Sequence, residues 1–342
     1  MRTFSLLLLI LFSAHSVAAE KVVNVFCWTG YISSQMIQQF EKKTGITVNF
    51  TQYSSNEELY AKLKANPNIG YDVIVPSTYY VQRMNREHML LKLDKQKLPH
   101  FKNLDRHFLY QSFDPKNDYS VPFYWGADII AINKQYYHPE SIHVWNDLWQ
   151  PRFKNKLLIL EDLRDIFGVA LLTQGYSINT QNPQQIHQGY QKLQKLWPNV
   201  KVINSDAVQS LLADDDVTAA IAWSGDIYAA SRMNPNVMGI YPKDGFVIWV
   251  DSFSIPKHAP HVNNAYTFID YVLNAKHAAK LAEFAGFSTP NKAALAYLPT
   301  AMRNSPLLYP SAKTLSRGQF ESYVAGADGL YKKYWQLFRL GA

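Results

Sequence analysis

Short apolar runs and amphipathic stretches alternate along the chain from Val22 onward. Val22 to Trp28 reads as a strand, and Ser33 to Lys43 as a helix carrying Met36, Ile37 and Phe40 on one side and stopped by Thr44-Gly45. Ile46 to Tyr53 alternates as a strand. Ser55 and Glu58 are spaced as a capping box for a helix with Leu59 and Leu63, broken at Pro67. Tyr71 to Val75 is a short apolar strand, followed by a helix from about Tyr79. The order β-α-β-α-β predicts a parallel sheet with helices on its faces.

The pattern then recurs. Leu157 to Leu160 reads as a strand, Arg164 to Thr173 as a helix, and Pro183 opens another helix ending near Trp197-Pro198. Val200 to Ile203, Val217 to Trp223 and the long run Phe246 to Ile255 read as strands, and the last third, from His261, as mostly helical. No linker divides the chain, yet its length exceeds one ordinary core, so two compact units joined by more than one chain crossing are expected.

Ligands of open parallel sheets bind at the carboxyl ends of strands. Those ends carry Trp28-Thr29-Gly30-Tyr31, Ser77-Thr78-Tyr79, Glu161-Asp162, Ser205-Asp206 and Trp223-Ser224, with Trp249-Val250-Asp251 inside the long strand. Aromatics, hydroxyls and carboxylates recur there and lysines do not, a lining suited to a cation with an apolar body. In Trp249-x-Asp251, alternation puts a carboxylate beside an indole, which matches an ammonium, although a core tryptophan beside a capping aspartate has the same spacing. Asp162 and Asp165 share a face at a helix start, where an N-cap with a first-turn acid explains them equally well. Asp214-Asp215-Asp216 reads as a solvated turn.

The N-terminus adds a compartment. Arg2, the apolar run Phe4 to Phe12 and the small residues Ser16 to Ala19 have the layout of a secretory signal peptide over 1–19. The run is shorter than the roughly 20 residues of a membrane span, and no later stretch is long enough to embed the protein in a membrane. Cys27, the sole cysteine, permits no internal disulfide and reads as a small buried side chain. The net charge of +7 falls by one if Arg2 is removed, and its lysines and arginines are scattered, which argues against nucleic acid as a partner. With 8 Trp, 22 Tyr and 18 Phe, an ordered globule with aromatic-lined surface is expected.

Nucleophile-elbow, P-loop, dinucleotide and zincin motifs are absent. No cofactor is implied. Carboxylate pairs beside tryptophan would also suit a secreted glycosidase, and the pairs Tyr79-Tyr80 and Tyr136-Tyr137 a ferric-ion binder.

Over nearly its whole length the chain resembles the periplasmic spermidine/putrescine-binding proteins of ABC polyamine importers. The resemblance is carried by Trp28 to Tyr31, Tyr71 to Val81, Phe113-Asp114-Pro115 with Asn117 to Ser120, Pro122 to Gly126, Asn204-Ser205-Asp206, Trp249 to Ser252 and Ser288 to Asn291. It implies an α/β, two-lobed type II periplasmic-binding-protein fold, each lobe a mostly parallel sheet flanked by helices, hinged by crossing strands. The implied lobes are 20–126 plus 252–296 and 127–251 plus 297–342, and the implied partners are an inner-membrane ABC permease and its ATPase. The implied ligand site comprises Trp28, Thr29, Tyr31, Ser77, Tyr79, Asp162, Asp165, Ser205, Trp223, Trp249 and Asp251, with Phe287 and Glu321 at positions where the chain departs from the family. Gly30 stands where the family's spermidine binders have an acid, Phe287 where they have tyrosine, Glu321 where they have glutamine, and Asp165 replaces a longer glutamate. The order of preference among polyamines is therefore expected to differ.

Overall fold

The computed structural model describes residues 20–341, so the signal-peptide reading lies outside the described residues. The first sheet contains β1 (Val22–Trp28), β2 (Thr47–Tyr53) and β3 (Val73–Ile74), all parallel in the order β2-β1-β3. Between them run α1 (Ser34–Thr44) and α2 (Asn56–Ala65), and α3 (Thr78–Arg86) follows β3. Gly45 closes α1 in the left-handed conformation, φ +68°, and its N–H bonds the Glu41 carbonyl, as a glycine C-cap does. At α2, Ser55 accepts from the Glu58 N–H, but the Glu58 carboxylate turns to the N–H of Ser54, so only half of the expected box forms. The strand expected over Tyr71 to Val75 shrinks to two residues paired with β1, with a single bridge from Ile74 to Ser254 on the other side before the chain reaches Pro76.

The second sheet holds β4 (Val121–Asn133), β5 (Leu157–Ile159), β6 (Val200–Ile203), β7 (Ala219–Trp223), β8 (Val237–Ile240), β9 (Phe246–Phe253) and β10 (Gly318–Phe320). Its order is β10-β9-β4-β7-β5-β6, with β8 also on β4. Helices α4 (Leu163–Leu172), α5 (Pro183–Leu196), α6 (Val208–Ala213) and α7 (Ser224–Met233) cover it. The C-terminal third adds α8 (Val262–Leu273), α9 (Ala275–Ala285), α10 (Thr300–Arg303), α11 (Ala312–Leu315) and α12 (Asp328–Arg339). β4, β8 and β10 carry no alternation that marks a strand. All 13 residues of β4 are buried, so both faces are covered and the period-two signal vanishes.

Three apolar clusters fill the molecule. Two belong to the first sheet, one built on Val23, Val25, Phe40 and Phe268 and one on Phe26, Leu59 and Met84, and Leu298, Met302 and Leu308 join the former. The third packs β4, β5 and β7 against α4 and α5. Cys27 lies fully buried in β1.

Two strands serve both halves. β4 pairs antiparallel with β9, opposing Tyr124 to Asp251, Gly126 to Trp249 and Ala127 to Ile248. Beyond this ladder β4 continues into β7 and β8, whereas Asp251 of β9 bridges Ser77 of the first half and Ser254, just past β9, bridges Ile74. The lobes are thus joined through this antiparallel ribbon and by a further crossing between Leu308, packed in the first sheet's cluster, and β10 of the second sheet.

Candidate ligand-binding cleft

Directly opposed residues of an antiparallel pair project to the same face, and alternate residues share it. Tyr124, Gly126 and Asp128 of β4 therefore share a face with Asp251 and Trp249 of β9 and with Trp223, the β7 partner of Asp128. Contacts agree. The Tyr124 hydroxyl donates to the Tyr31 carbonyl at 3.1 Å, and a Cβ at Gly126 would lie 2.3 Å from Trp249 Cζ2. Only glycine leaves room for that indole.

Asp251 is held from the first lobe. Its carboxylate accepts from the Tyr31 hydroxyl and from Ser77 Oγ, the latter at 2.5 Å. Asn56 fixes Ser77 in turn, donating to its hydroxyl at 2.9 Å and accepting from its N–H at 3.1 Å, and also donates to the Tyr79 hydroxyl at 3.3 Å. Burial pushes the Asp251 carboxyl up to about 6, against the opposing hydrogen bonds from Ser77 and Tyr31.

The second lobe supplies the opposite wall. Asp162 caps α4, accepting from the N–H groups of Arg164 and Asp165, and it is half-buried at the mouth with its carboxyl raised to about 6, chiefly by desolvation. The two members of the Asp162/Asp165 pair thus differ. Asp162 is the cap, while Asp165 points inward, 3% exposed, and accepts from Trp223 Nε1 at 2.8 Å. Trp223 meets Trp249 edge-on at 6.3 Å, and Trp249 meets Phe287 at 5.4 Å. The Phe287 ring lies on α7, where a Cβ at Gly225 would come within 2.3 Å of it.

Glu321 follows β10 directly, 2% exposed, and Arg164 Nε stands 3.9 Å from its carboxylate. Burial raises it to about 8 despite the guanidinium. Gly30, by contrast, is exposed at the rim with φ +79°, and nothing lies within 4 Å of a Cβ there. Trp28 is half-buried, its Nε1 bonded to the Val75 carbonyl and its ring 6.1 Å from Tyr31. Thr29 is exposed beside it and tied to the Tyr53 carbonyl. Ser205 accepts from the Glu161 N–H and joins Tyr79, Asp162 and Arg164 around a groove of ≈ 500 Å³. That volume suits a small ligand.

Across the mouth of this groove the lobes touch. The Tyr323 N–H donates to Gln82 Oε1 at 2.7 Å, and Arg83 approaches Asp328 at 4.0 Å. The tyrosine pairs diverge: Tyr80 donates to Glu57 while Tyr79 meets Asn56, and Tyr136 is exposed while Tyr137 stacks on Phe153. Asp215 sits in a turn with φ +60° and accepts from Asn133 and Asn234.

Four cleft residues escaped the sequence reading: Asn56, Arg164, Gly126 and Asp128. Arg164, 6% exposed, donates to the Ile178 carbonyl and to Asn179. Asp128 is fully buried, and no donor reaches either carboxylate oxygen. A lone charge inside Ala127-Asp128-Ile129-Ile130-Ala131-Ile132 was its available signal.

Two lobes on a shared strand pair, with an aromatic and acidic cleft between them, define a solute-binding protein. A family model described as bacterial extracellular solute-binding protein matches residues 35–308. The chain belongs to that family. It is 40% identical over 329 residues to the spermidine/putrescine-binding periplasmic protein of Salmonella typhimurium, covering 96% of this chain and 94% of that one. It is 39% identical to spermidine/putrescine-binding periplasmic protein 1 of Haemophilus influenzae, covering 93% and 89%. The solved substrate-binding protein PotD of a Streptococcus pneumoniae spermidine/putrescine ABC transporter superposes with a TM-score of 0.82 at 31% identity, covering 94% and 99%. The Tp0655 lipoprotein of Treponema pallidum superposes at 0.83 with 30% identity, covering 93% and 99%. The fold is thus the two-lobed type II one, and the family is extracellular. Among the described residues no helix is long and apolar enough to cross a membrane.

Proposed function

We propose that this chain captures a linear polyamine of the spermidine/putrescine type in the periplasm and delivers it to an inner-membrane ABC permease and its ATPase. The observation that carries this reading is the cleft face itself. Indoles and carboxylates interleave as Trp249 with Asp251 and Trp223 with Asp165, and the cation beside them, Arg164, is engaged with Asn179, Ile178 and Glu321. Methylene segments are buried against the rings, and each ammonium meets a carboxylate that is costly to desolvate alone. A carboxylate ligand such as an amino acid would meet Arg164 already facing Glu321, and Arg83, Lys332 and Arg339 of the groove already paired with Glu87, Asp328 and Glu161. The relatives are binding proteins, and their names, which carry spermidine and putrescine, support the same ligand class.

Closure follows from the strand pair. β4 and β9 act as hinges near Gly126-Ala127 and Asp251-Ser252, and the site residues Trp28, Thr29, Tyr31, Ser77, Tyr79 and Phe287 close against Asp162, Asp165, Ser205, Trp223 and Glu321. Closing expels water and strengthens each ion pair. A thermal-shift panel of putrescine, spermidine, homospermidine, spermine, amino acids and disaccharides tests the reading. Di- or triamines should raise the melting temperature and the others should not. A larger shift with arginine or a disaccharide would overturn it.

A further inference from the structure

Asp128 is the least accounted-for charge in the molecule. It lies in β4, two residues past Gly126, on the face that carries Trp249 and Asp251 and opposite Trp223. It is fully buried with both oxygens unpartnered. An isolated carboxylate so placed costs several kcal/mol, and folds rarely keep one without a use. The groups facing it come from three elements. Asp162 and Asp165 belong to the start of α4, Glu321 follows β10, and Trp223 of β7 brings no charge. Asp251 on β9 interacts with Asp162 and Glu321, and Arg164 is directed to Asn179 and Glu321. Among the described residues no basic side chain pairs with Asp128.

The acids fall into three groups. Asp251 stands with Tyr31 and Ser77, Glu321 with Arg164 and beside Asp162, and Asp128 and Asp165 about Trp223, which opposes Asp128 in the β4/β7 ladder and donates its Nε1 to Asp165. A diamine fills two such groups. A triamine fills three.

We propose that Asp128 is a specificity-determining residue which, with Asp165, forms a third ammonium subsite and makes the cleft prefer a linear triamine over a diamine. This inference rests on the polyamine reading above. In the free protein burial raises both carboxyls, Glu321 and Asp162 add repulsion at each, and Asp128 adds its own at Asp165, so the pair keeps a proton. When the secondary ammonium arrives it supplies the positive charge, and a proton of the pair leaves to solvent.

The test is calorimetric titration of spermidine and putrescine into wild type, Asp128→Asn and Asp128→Thr at pH 7.5, each in two buffers of different ionisation enthalpy. Wild type should release protons on binding spermidine, and both variants should release fewer. The variants should lose spermidine affinity by about tenfold or more, as a missing counter-charge at a desolvated ammonium requires, with little loss for putrescine. The free Asp128→Asn protein should melt no lower than wild type, because it loses a buried carboxyl whose ionised form the fold disfavours. Equal losses for both amines, an unchanged spermidine affinity, or a lower melting point with a uniform loss would assign Asp128 a structural role and overturn the proposal. Asp251→Asn, which should weaken both amines, separates the two readings. If Asp251→Asn weakens both while Asp128→Asn leaves their ratio untouched, only the third subsite falls. If wild type binds neither amine, the polyamine reading fails and takes the subsite with it.

Discussion

Replacing Asp251 by asparagine should make the free protein more stable and the complex far weaker. The carboxylate is 3% exposed, and its folded-state pKa of about 6 lies above the ordinary 3.8. A carboxyl raised by burial binds its proton more tightly in the folded state than in the unfolded one. Stability from the protonated form is therefore present at low pH and lost as pH rises from about 4 to about 6. A shift of this size corresponds to about 3 kcal/mol by pH 7.5, lost to keeping the charge buried. Asparagine removes that cost, and its amide can still serve both the Tyr31 and Ser77 hydroxyls. In the complex the sign reverses, since an ammonium is left buried without its counter-charge at a cost of about 2–5 kcal/mol. The dissociation constant should rise by roughly 30-fold to several thousand-fold. Calorimetry with spermidine at pH 7.5 gives the affinity, and thermal melting of the free protein gives the stability. An affinity within about threefold of wild type would refute the counter-charge role. A free variant melting well below wild type would refute the burial argument. Asp215→Asn serves as the control and should leave affinity unchanged, since Asp215 accepts from Asn133 and Asn234 in a distant turn.

Gly126→Ala should push the Trp249 indole off its seat and cost about 1–3 kcal/mol in melting experiments, with a parallel loss of polyamine affinity; a neutral substitution would show that the indole yields freely. Gln82→Ala should release the Tyr323 N–H across the mouth and speed ligand dissociation several-fold in stopped-flow fluorescence, with little effect on melting of the free protein; an unchanged off-rate would deny this contact a part in closure. Polyamine affinity should fall as pH drops from 8 to 5, because Asp162 and Asp251 at about 6 and Glu321 at about 8 take up protons in the free cleft that the bound ammoniums must displace; titrations showing a flat profile would contradict the assigned acids.

The sequence made strand ends legible and the interior of the sheet much less so. Trp249-x-Asp251 was readable because two residues one pleat apart in a long run must share a face. Asp162 and Asp165 could not be separated from sequence, since a helix start offers both positions to capping, and here Asp162 caps while Asp165 turns inward to Trp223. Glu321 owes its burial to a three-residue strand too short to leave a pattern. Asp128 was passed over because β4 is buried on both faces, so nothing in its periodicity says which side meets the ligand. Tertiary pairing, which carries that information, is written in contacts as distant along the chain as Asp128 with Trp223 and Tyr124 with Asp251.

The β4/β9 ribbon does more than join the lobes. A two-stranded ladder resists sliding and yields mainly to twist, so the lobes rotate about a line that runs through the ladder itself. Under the proposed closure Asp128, Trp249 and Asp251 would lie near that line and shift least, while Tyr79, Asp162 and Ser205 would sweep through longer arcs. The binding floor is thus an axle, ready-formed in the open protein, and the walls are doors hung on it. Capture speed is then governed by the floor and residence time by the doors, two properties that this architecture lets selection adjust separately.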